Sequence, residues 1–419
     1  MPLFLLQSKL YLLSCPGFSQ KTGRCVKIIL FLLFFSLFLT SAEATEIPLS
    51  IWVECEGSNK TLSSEQKIAE MVDFCSDAGI SEIFVQIYRG NRAWFRTVLA
   101  GEGLVDDTPY REFLEKEKGL DLLAAVIKKA HEKNIKVHGW INTFRIAKNL
   151  KAPVLLKYGK DIIIVDSKNR SMLDYPDLNL PGPEGEFFST GGDGYWLNPG
   201  DNRVRSLIAG LIQGIIKEYP DIDGVHLDFV RYPYCVPYSP GSLWMKGVDF
   251  GYNKANRERF SDAYGLDPLH MDRNRANCGL WDDFRRDLIS GFVKEQGLAV
   301  RKSGKKFSAA VLCWPDRAYL SSFQDWRMWM EDDYLDFIVV MNYGTDRRLV
   351  RYLSKEAMAF RRGAGVYIGL GAYLLKQNPD GLKEQMSDTE DISPDGITLF
   401  SYDSIKDQPR ITDVIRGLN

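Results

Sequence analysis

Runs of apolar residues recur along the chain, and amphipathic segments with helical spacing separate them. Eight of these runs predict β-strands: Leu49–Val53, Glu82–Tyr88, Ile135–Ile141, Ile222–Phe229, Phe307–Leu312, Asp336–Asn342, Gly365–Leu370 and Gly396–Ser401. The segments that predict helices include Glu65–Ala78, Asp121–Glu132, Asn202–Tyr219, Trp281–Lys302 and Lys355–Arg362. Because strand and helix alternate throughout, the pattern predicts an α/β fold whose parallel strands close into a (β/α)8 TIM barrel. A doubly wound open sheet is the alternative, but it does not ordinarily need so many units.

Two connections between the predicted strands are long. Residues 143–199 follow the third strand and are rich in glycine, proline and aspartate, and residues 231–280 follow the fourth. Both connections leave the carboxyl ends of their strands, where a barrel of this kind holds its active site. Since long loops in compact domains commonly form lids or binding walls, we expect them to build an open cleft for a chain-like ligand.

The fourth predicted strand carries the most informative chemistry. Val225, Leu227 and Phe229 alternate with His226 and Asp228, so a period of two places the histidine and the carboxylate on one face. A proline soon ends the run, because proline cannot continue a central strand. A carboxylate that faces inward at the end of a barrel strand has the position of a catalytic group.

Hydrolysis of a glycosidic bond requires two carboxyl groups in different protonation states. Asp228 is the leading candidate for the ionised member, the nucleophile or base, because Arg231 and His226 are placed to hold its charge. The partner is Glu54, at the end of the first strand, or Asp316, after the fifth. Glu54 and Asp316 could each instead be a solvated loop acid. Asp228 could instead be a structural acid that pairs with a loop arginine.

Aromatic and amide side chains cluster at the predicted strand ends, as a sugar-binding site requires. Aromatic rings stack on the apolar faces of sugars, and amides both donate to and accept from hydroxyls. The candidate substrate-binding residues are Tyr88, Arg89, Trp140, Asn142, His226, Arg231, Trp314, Asn342, Tyr343 and Tyr402. For each aromatic ring, packing in the core is an equal alternative. The histidines could likewise be buried residues whose ring nitrogens are hydrogen-bonded within the core.

Composition narrows the class of protein. The net charge of −2 gives no electrostatic footprint for nucleic acid, and the 45% hydrophobic and 26% charged residues are ordinary globular values. With only 4 histidines and no Cys-x-x-Cys spacing, a zinc site is not expected. The sequence signals neither a metal nor an organic cofactor, and the expected partner is a polysaccharide or other glycan.

The first residues have the pattern of a secretory signal peptide. The run Ile28–Leu39 is apolar, follows several basic residues and precedes an Ala-Glu-Ala cleavage site that ends at Ala44. We therefore expect residues 1–44 to be removed, with the true translation start near Val26, and the protein to be secreted or periplasmic. A lipoprotein site at Cys15 is the less favoured alternative, and no stable membrane span is expected after cleavage.

Residues 45–419 are interpreted as a single domain, because no proline- or serine-rich linker divides them. The cysteines in this part are Cys55, Cys75, Cys235, Cys278 and Cys313. Their odd number leaves at least one without an intrachain disulfide. Cys235 and Cys278 fall in one loop region and are candidates for a disulfide in an oxidising compartment.

Several motifs resemble those of a known bacterial family. The motifs are Lys136–Asn142, Trp196–Gly200, Asp223–Pro233, Asp336–Tyr343 and Tyr367–Leu370. In this order they look like the glycosyl hydrolase-like 10 family, and the resemblance extends over residues 49–419. The motif around Asp228 is the most specific of them.

The resemblance implies a (β/α)8 barrel in the bacterial envelope or outside the cell that hydrolyses glycan chains, with peptide-free peptidoglycan strands as the first candidate substrate. Asp228 also resembles the nucleophile of the α-amylase superfamily, but that pattern has an arginine where this chain has His226 and a glutamate after the fifth strand. A barrel that binds glycans without catalysis is the rival. A metal-dependent deacetylase or amidase would need a histidine and aspartate cluster that the strand ends do not supply.

Overall fold

Eight parallel strands form a closed barrel in this computed structural model, which describes residues 47–191, 194–238 and 248–416. The strands are β1 (Leu49–Val53), β2 (Glu82–Arg89), β3 (Lys136–Asn142), β4 (Gly224–Asp228), β5 (Lys306–Leu312), β6 (Phe337–Asn342), β7 (Gly365–Leu370) and β8 (Gly396–Leu399). Each strand pairs with the next in chain order, and β8 pairs with β1. The predicted (β/α)8 barrel is therefore confirmed.

A ring of helices surrounds the barrel, with one after each strand. They are α1 (Glu65–Asp77), α2 (Leu122–His131), α3 (Asn202–Glu218), α4 (Arg275–Lys302), α5 (Trp326–Glu331), α6 (Arg347–Ala359), α7 (Pro379–Glu390) and α8 (Pro409–Arg416). Further helices in the connections span Thr108–Lys116, Pro153–Tyr158, Lys254–Tyr264, Pro315–Ser321 and Tyr402–Ile405.

Two helices begin earlier than their hydrophobic spacing predicts. Helix α4 starts at Arg275, because the side chain of Asn274 accepts the N–H of Asn277 at 2.9 Å and caps the helix. Helix α6 starts after Asp346, whose carboxylate accepts the N–H of Leu349 at 3.1 Å. The capping residues, rather than the apolar stripe, therefore set these two boundaries.

The inside of the barrel is filled with side chains, many of them aromatic. Alternate strand residues point inward and form one buried cluster, which includes Trp52, Phe84, Trp140, Phe337 and Tyr367. The residues between them face the helices and belong to the larger outer core. Because the interior is packed, a ligand site is left at the carboxyl ends of the strands.

The long loops after β3 and β4 support each other. Ser189–Gly191 pairs antiparallel with Tyr234–Val236, so the two loops share a small sheet. The N–H of Ser167 also donates to the carbonyl of Asp249 at 2.8 Å. These contacts fix both predicted loops above the carboxyl ends of β3 and β4.

The predicted disulfide between Cys235 and Cys278 is wrong. Cys235 lies in the small sheet, where its thiol donates to the carbonyl of Val248 at 3.2 Å. Cys278 is buried on α4, within the first two turns of that helix. The two cysteines were predicted to lie in one loop, but Cys278 belongs to a helix and the two thiols are not bonded.

The predicted signal peptide, residues 1–44, lies outside the described residues, so cleavage and secretion stay predictions. In the part of the chain that the structure describes, no helix combines the length and the apolar character needed to cross a membrane.

Candidate active site

A cavity of about 220 Å³ opens at the carboxyl ends of the barrel strands. Two carboxyl groups line it, Glu54 from the end of β1 and Asp228 from the end of β4. Aromatic side chains form much of the remaining surface. This cavity therefore combines acids and rings at the position where a barrel enzyme carries out its chemistry.

Asp228 is the last residue of β4 and is only 6% exposed. The chain turns immediately after it, where Phe229 adopts a left-handed conformation with φ of 52° and donates its N–H to Asp228 Oδ1 at 2.6 Å. Burial raises the pKa of the Asp228 carboxyl, and the charges of Arg231 and Arg145 oppose that rise. The tight turn holds the carboxylate at the cavity wall.

Glu54 follows β1 and faces the same cavity. Its Oε2 accepts a hydrogen bond from the Ser401 hydroxyl at 2.9 Å. Burial raises the pKa of Glu54, the serine hydrogen bond and the charge of Arg89 lower it, and the charge of Asp403 raises it further. The site thus contains two carboxyl groups whose surroundings favour the protonated form more than water does.

Trp52 lies one inward position below Glu54 and forms part of the cavity floor. Its indole N–H donates to His226 Nε2 at 3.3 Å, and His226 Nδ1 lies 2.9 Å from the hydroxyl of Ser308. Burial, with a smaller contribution from the neighbouring His138, lowers the pKa of His226 well below its usual value. The histidine is therefore neutral, and both of its nitrogens are engaged beneath the floor.

Tyr343 contributes both a ring and a hydroxyl to the site. The ring packs against Phe400 with centroids 5.5 Å apart and against the edge of Trp52 at 6.3 Å. Burial, followed by the charges of Asp228 and Glu54 among other neighbours, raises the pKa of the hydroxyl well above its usual value. The hydroxyl stays protonated near two carboxyl groups, and it can donate a hydrogen bond to either carboxylate or to a sugar.

Amide and guanidinium groups complete the cavity. Asn142 Oδ1 accepts from Gln86 Nε2 at 3.1 Å, so the two amides orient each other. Arg89 lines the cavity while its Nε forms an ion pair with Glu56 at 3.4 Å, and the Arg145 guanidinium lies over the Phe229 ring at 4.9 Å. Over the described residues, no three or more histidine, cysteine or acidic side chains are arranged to hold a metal ion.

Sequence comparison gives the family. The model of the glycosyl hydrolase-like 10 family matches residues 48–378, which is most of the chain. The chain belongs to the glycosyl hydrolase-like 10 family. The resemblance seen in the sequence motifs is thereby confirmed over residues 48–378.

Named relatives are distant but similar over most of the barrel. Glycosyl hydrolase YngK of Bacillus subtilis is 24% identical over 379 residues, which cover 82% of this chain and 64% of YngK. Glycosyl hydrolase DigH of Escherichia coli K12 is 24% identical over 375 residues, covering 81% of this chain and 76% of DigH. The match thus spans less than two thirds of YngK.

Among solved structures, the β-galactosidase of Rahnella sp. R3 superimposes with a TM-score of 0.52. The superposition covers 90% of this chain and 56% of that chain, with 11% sequence identity. At this identity the similarity shows a shared fold alone.

The structure brings six of the predicted site residues into one cavity. They are Glu54, Arg89, Trp140, Asn142, Asp228 and Tyr343. All six come from the ends of β1, β2, β3, β4 and β6, so a single site collects residues that are far apart in sequence. Their roles in binding or catalysis stay predictions.

Asp316 is not brought to the cavity. Its side chain is 89% exposed and lies 4.0 Å from the guanidinium of Arg327. The residue falls in the first turn of the helix Pro315–Ser321, which begins directly after β5 and points the carboxylate into solvent. Of the two predicted partners for Asp228, the structure places only Glu54 beside it in the same cavity.

The remaining predicted residues take up packing or supporting positions. His226 lies beneath the floor, and Arg231 is buried between the rings of Trp196, Phe229 and Tyr234 at centroid distances of 4.9–5.2 Å. Arg231 acts on Asp228 through its charge, as expected, whereas the neutral His226 cannot.

Four further predicted sugar contacts lie outside the cavity. Asn342 donates to the carbonyl of Val350 at 2.7 Å and so fastens β6 to α6. Tyr88 and Tyr402 are buried in the outer core, and the half-buried Trp314 stacks with Arg317 at 4.2 Å. For Tyr88 and Tyr402 the alternative of packing in the core describes the observed environment, whereas a sugar contact of Trp314 stays a prediction.

Several cavity residues were missing from the sequence prediction. Trp52 and Gln86 share the inward parity of their strands, so the period of two contained the signal for both. Phe400 lies one residue beyond β8 but keeps the inward parity of Thr398, so the period of two contained the signal for it as well. Arg145 lies beyond the last residue of β3, where periodicity no longer applies. Loop geometry alone brings Arg145 into the cavity.

Proposed function

We propose that this protein is a glycoside hydrolase that cleaves bonds within a polysaccharide, with Asp228 and Glu54 as the reacting carboxyl groups. The observation that carries the proposal is the presence of both carboxyl groups in one aromatic-lined cavity at the carboxyl ends of the barrel. Membership of the glycosyl hydrolase-like 10 family supports the same reaction class.

The surroundings of the two acids favour a division of roles. Asp228 lies under the influence of two arginine charges, which stabilise its ionised form, and receives a backbone N–H. Glu54 lies beside another acid, Asp403, which favours its protonated form. We assign the nucleophile or base to Asp228 and the acid that protonates the leaving oxygen to Glu54.

Sugar binding is assigned to the rings and amides of the cavity. Tyr343 offers a partly exposed ring to the C–H face of a pyranose, and Trp52 and Trp140, which are 1% and 3% exposed, form the apolar floor beneath it. Gln86 and Asn142 offer amides for its hydroxyls. Peptide-free peptidoglycan glycans are the first candidate substrate, followed by other envelope or environmental polysaccharides.

The test measures new reducing ends released from peptide-free peptidoglycan glycans and from a panel of polysaccharides. Asp228→Asn and Glu54→Gln should each lower kcat by at least about 100-fold, as loss of a general acid or base does. Asp316→Asn is the matched control, because it removes an exposed carboxylate outside the cavity, and it should retain the wild-type rate.

Other outcomes would change the proposal. Full activity of Asp228→Asn and Glu54→Gln would contradict the assignment of both carboxyl groups. Glycan binding without turnover by the wild-type protein would favour the non-catalytic barrel. Loss of turnover on removal of divalent metals by a chelator would favour a metal-dependent reaction.

We also propose that the protein is secreted or periplasmic, on the pattern of residues 1–44. Expression in a bacterial host followed by fractionation and N-terminal sequencing tests this proposal. A mature chain that begins near Thr45 in the periplasm or medium is expected. A cytoplasmic chain that retains its first residues would contradict it.

A further inference from the structure

A second, larger cavity lies next to the candidate active site. It has a volume of about 630 Å³, and its lining includes Glu56, Arg92, Trp94, Glu112 and Phe113. We call it the Trp94 cavity. The helix Thr108–Lys116 supplies one side, and the residues after β1 and β2 supply the other.

The two cavities are separated by a thin wall of directly bonded side chains. Cys55 lines the Trp94 cavity, and its thiol donates to Oε1 of Gln86, which lines the candidate active site, at 3.1 Å. Glu56 pairs with Arg92 at 2.5 Å and with Arg89 of the candidate active site at 3.4 Å. One side-chain layer therefore belongs to both cavities.

A short hairpin makes this wall rigid. Arg89 at the end of β2 pairs directly with Arg92 of the strand Arg92–Ala93, and the N–H of Trp94 donates to the carbonyl of Ile87 at 2.9 Å. Like charges on directly opposed residues repel each other, and Glu56 compensates them by pairing with both. The position of Trp94 relative to the candidate active site is thus fixed by backbone pairing.

The volumes of the two cavities differ in a way that matters for a polymer. Ligand sites commonly measure about 300–1,000 Å³. The candidate active site, at about 220 Å³, falls below that range and is too small for several linked sugars, whereas the Trp94 cavity, at about 630 Å³, falls within it. A polysaccharide bound at Asp228 must therefore extend into neighbouring space.

We propose that the Trp94 cavity is a second sugar-binding subsite, which holds another part of the glycan chain that reacts at Asp228 and Glu54. Trp94 and Phe113, which are 6% and 3% exposed, form the apolar floor of the cavity on which a pyranose ring would rest, and the charged groups of Glu56 and Arg92 at its rim supply partners for the sugar hydroxyls. The occupant follows from the position of the Arg89–Glu56 ion pair, whose side chains are 30% and 38% exposed: a glycan that leaves the candidate active site over Arg89 meets Glu56 and the Trp94 cavity next. The inference rests on the proposed polysaccharide substrate.

The experiment blocks the Trp94 cavity from its exposed side. Glu112 and Glu115 are both exposed on the helix Thr108–Lys116, but only Glu112 lines the cavity. Glu112→Trp fills the cavity with an indole, and Glu115→Trp is the matched control for the same change on the same helix. Both are made in the Asp228→Asn background for binding and in the wild-type background for turnover. The probes are disaccharide and octasaccharide fragments of peptide-free peptidoglycan glycans.

The expected result depends on the length of the fragment. Glu112→Trp should weaken octasaccharide binding at least tenfold and leave disaccharide binding unchanged, while Glu115→Trp should bind both as the parent protein does. Equal affinities of the parent protein for the two lengths, or an octasaccharide affinity unchanged by Glu112→Trp, would overturn the inference. Trp94→Phe, which keeps an aromatic ring in the core, should weaken octasaccharide binding in the same direction.

Turnover separates this inference from the proposed function. If the wild-type protein cleaves the glycan and Glu112→Trp cleaves long and short fragments at the wild-type rates, the subsite is wrong and the hydrolase stands. If the wild-type protein cleaves nothing but Glu112→Trp still loses octasaccharide binding, the subsite stands and the hydrolase fails.

Discussion

The indole N–H of Trp52 donates to Nε2 of His226 across 3.3 Å and joins the floor of the candidate active site to the barrel interior. Because Nε2 accepts this bond, the proton of the neutral imidazole is on Nδ1, which lies 2.9 Å from the hydroxyl of Ser308. The histidine ring also packs against Phe84, with centroids 4.5 Å apart. The orientation of the Trp52 ring is thus set from below.

Replacing His226 by leucine should disturb the cavity floor without changing its charge. The buried indole N–H of Trp52 would lose its acceptor, which costs about 1–3 kcal/mol of unfolding free energy. With the ring free to tilt, we expect kcat/KM for glycan hydrolysis to fall. Urea unfolding and steady-state kinetics measure the two effects.

Ser308→Ala is the control for this change, because it removes a partner of His226 but keeps the bond to Trp52. It should lower stability while leaving kcat/KM closer to the wild-type value than His226→Leu does. Equal kinetics for wild type and His226→Leu would show that His226 serves packing alone.

Two neighbours of Glu54 should move its pKa in opposite directions. The Ser401 hydroxyl donates to the Glu54 carboxylate and stabilises its charged form, so Ser401→Ala should raise the pKa of Glu54. The charge of Asp403 destabilises the same form, so Asp403→Asn should lower that pKa. Asparagine keeps an acceptor for the N–H of Asn59, which Asp403 Oδ1 binds at 2.7 Å.

The pH dependence of kcat/KM reports these shifts. If Glu54 is the general acid, the alkaline limb of the profile follows its deprotonation. That limb should move to higher pH in Ser401→Ala and to lower pH in Asp403→Asn. Movement of both variants in one direction, or of neither, would contradict the assignment of the limb to Glu54.

The alternation of side chains predicted the fold and part of the site, and it failed where the backbone departs from regular geometry. Asp228, Trp140 and Asn142 face inward as a period of two requires. Tyr88 does not, because the register of β2 against β3 shifts between Gln86 and Tyr88. This bulge turns Tyr88 outward, where Asn91 donates to its hydroxyl at 2.9 Å.

Parity also separates Asn342 from its neighbours. Met341 and Tyr343 line the cavity, so the residue between them must face the helices, where Asn342 binds α6. The outward direction of Asn342 could therefore have been predicted from the sequence. The direction of loop side chains could not be predicted in this way, because the positions of Arg145 and Asp316 depend on contacts between segments that are distant along the chain.

Arg285 holds the loop after β4 to helix α4. Its guanidinium donates to Asp249 at 2.7 Å, to the carbonyl of Phe250 at 2.6 Å and to Asp282 at 2.5 Å, and its side chain is fully buried. Arg285→Met should therefore lower the free energy of unfolding by about 3–5 kcal/mol, because it leaves buried carboxylates without their cation.

The matched control for Arg285→Met is Lys67→Met. Lys67 forms an exposed ion pair with Glu70 at 2.8 Å, and its loss should change stability by at most about 1 kcal/mol. Denaturant unfolding measures both variants. Similar small effects for the two would contradict the anchoring role of Arg285.

Asp228→Asn should stabilise the protein, and by more as the pH rises. Burial raises the pKa of Asp228, so above the pKa of an unfolded aspartate, about 3.9, the folded state retains a proton that the unfolded state releases. The unfolded state then binds fewer protons, and wild-type stability falls with increasing pH until the folded carboxyl also ionises. Asparagine carries no such penalty and keeps the Oδ1 acceptor for the Phe229 N–H.

Denaturant unfolding of wild type and Asp228→Asn from about pH 4 to about pH 8 checks this expectation. The stability of the variant minus that of the wild type should increase with pH and then level off once the folded carboxyl is ionised. Asp316→Asn controls for the loss of an exposed carboxylate. A difference that decreases with pH would show that the folded protein stabilises the Asp228 charge, and a constant difference would show that folding leaves the pKa of Asp228 unchanged. Either result would contradict the expectation.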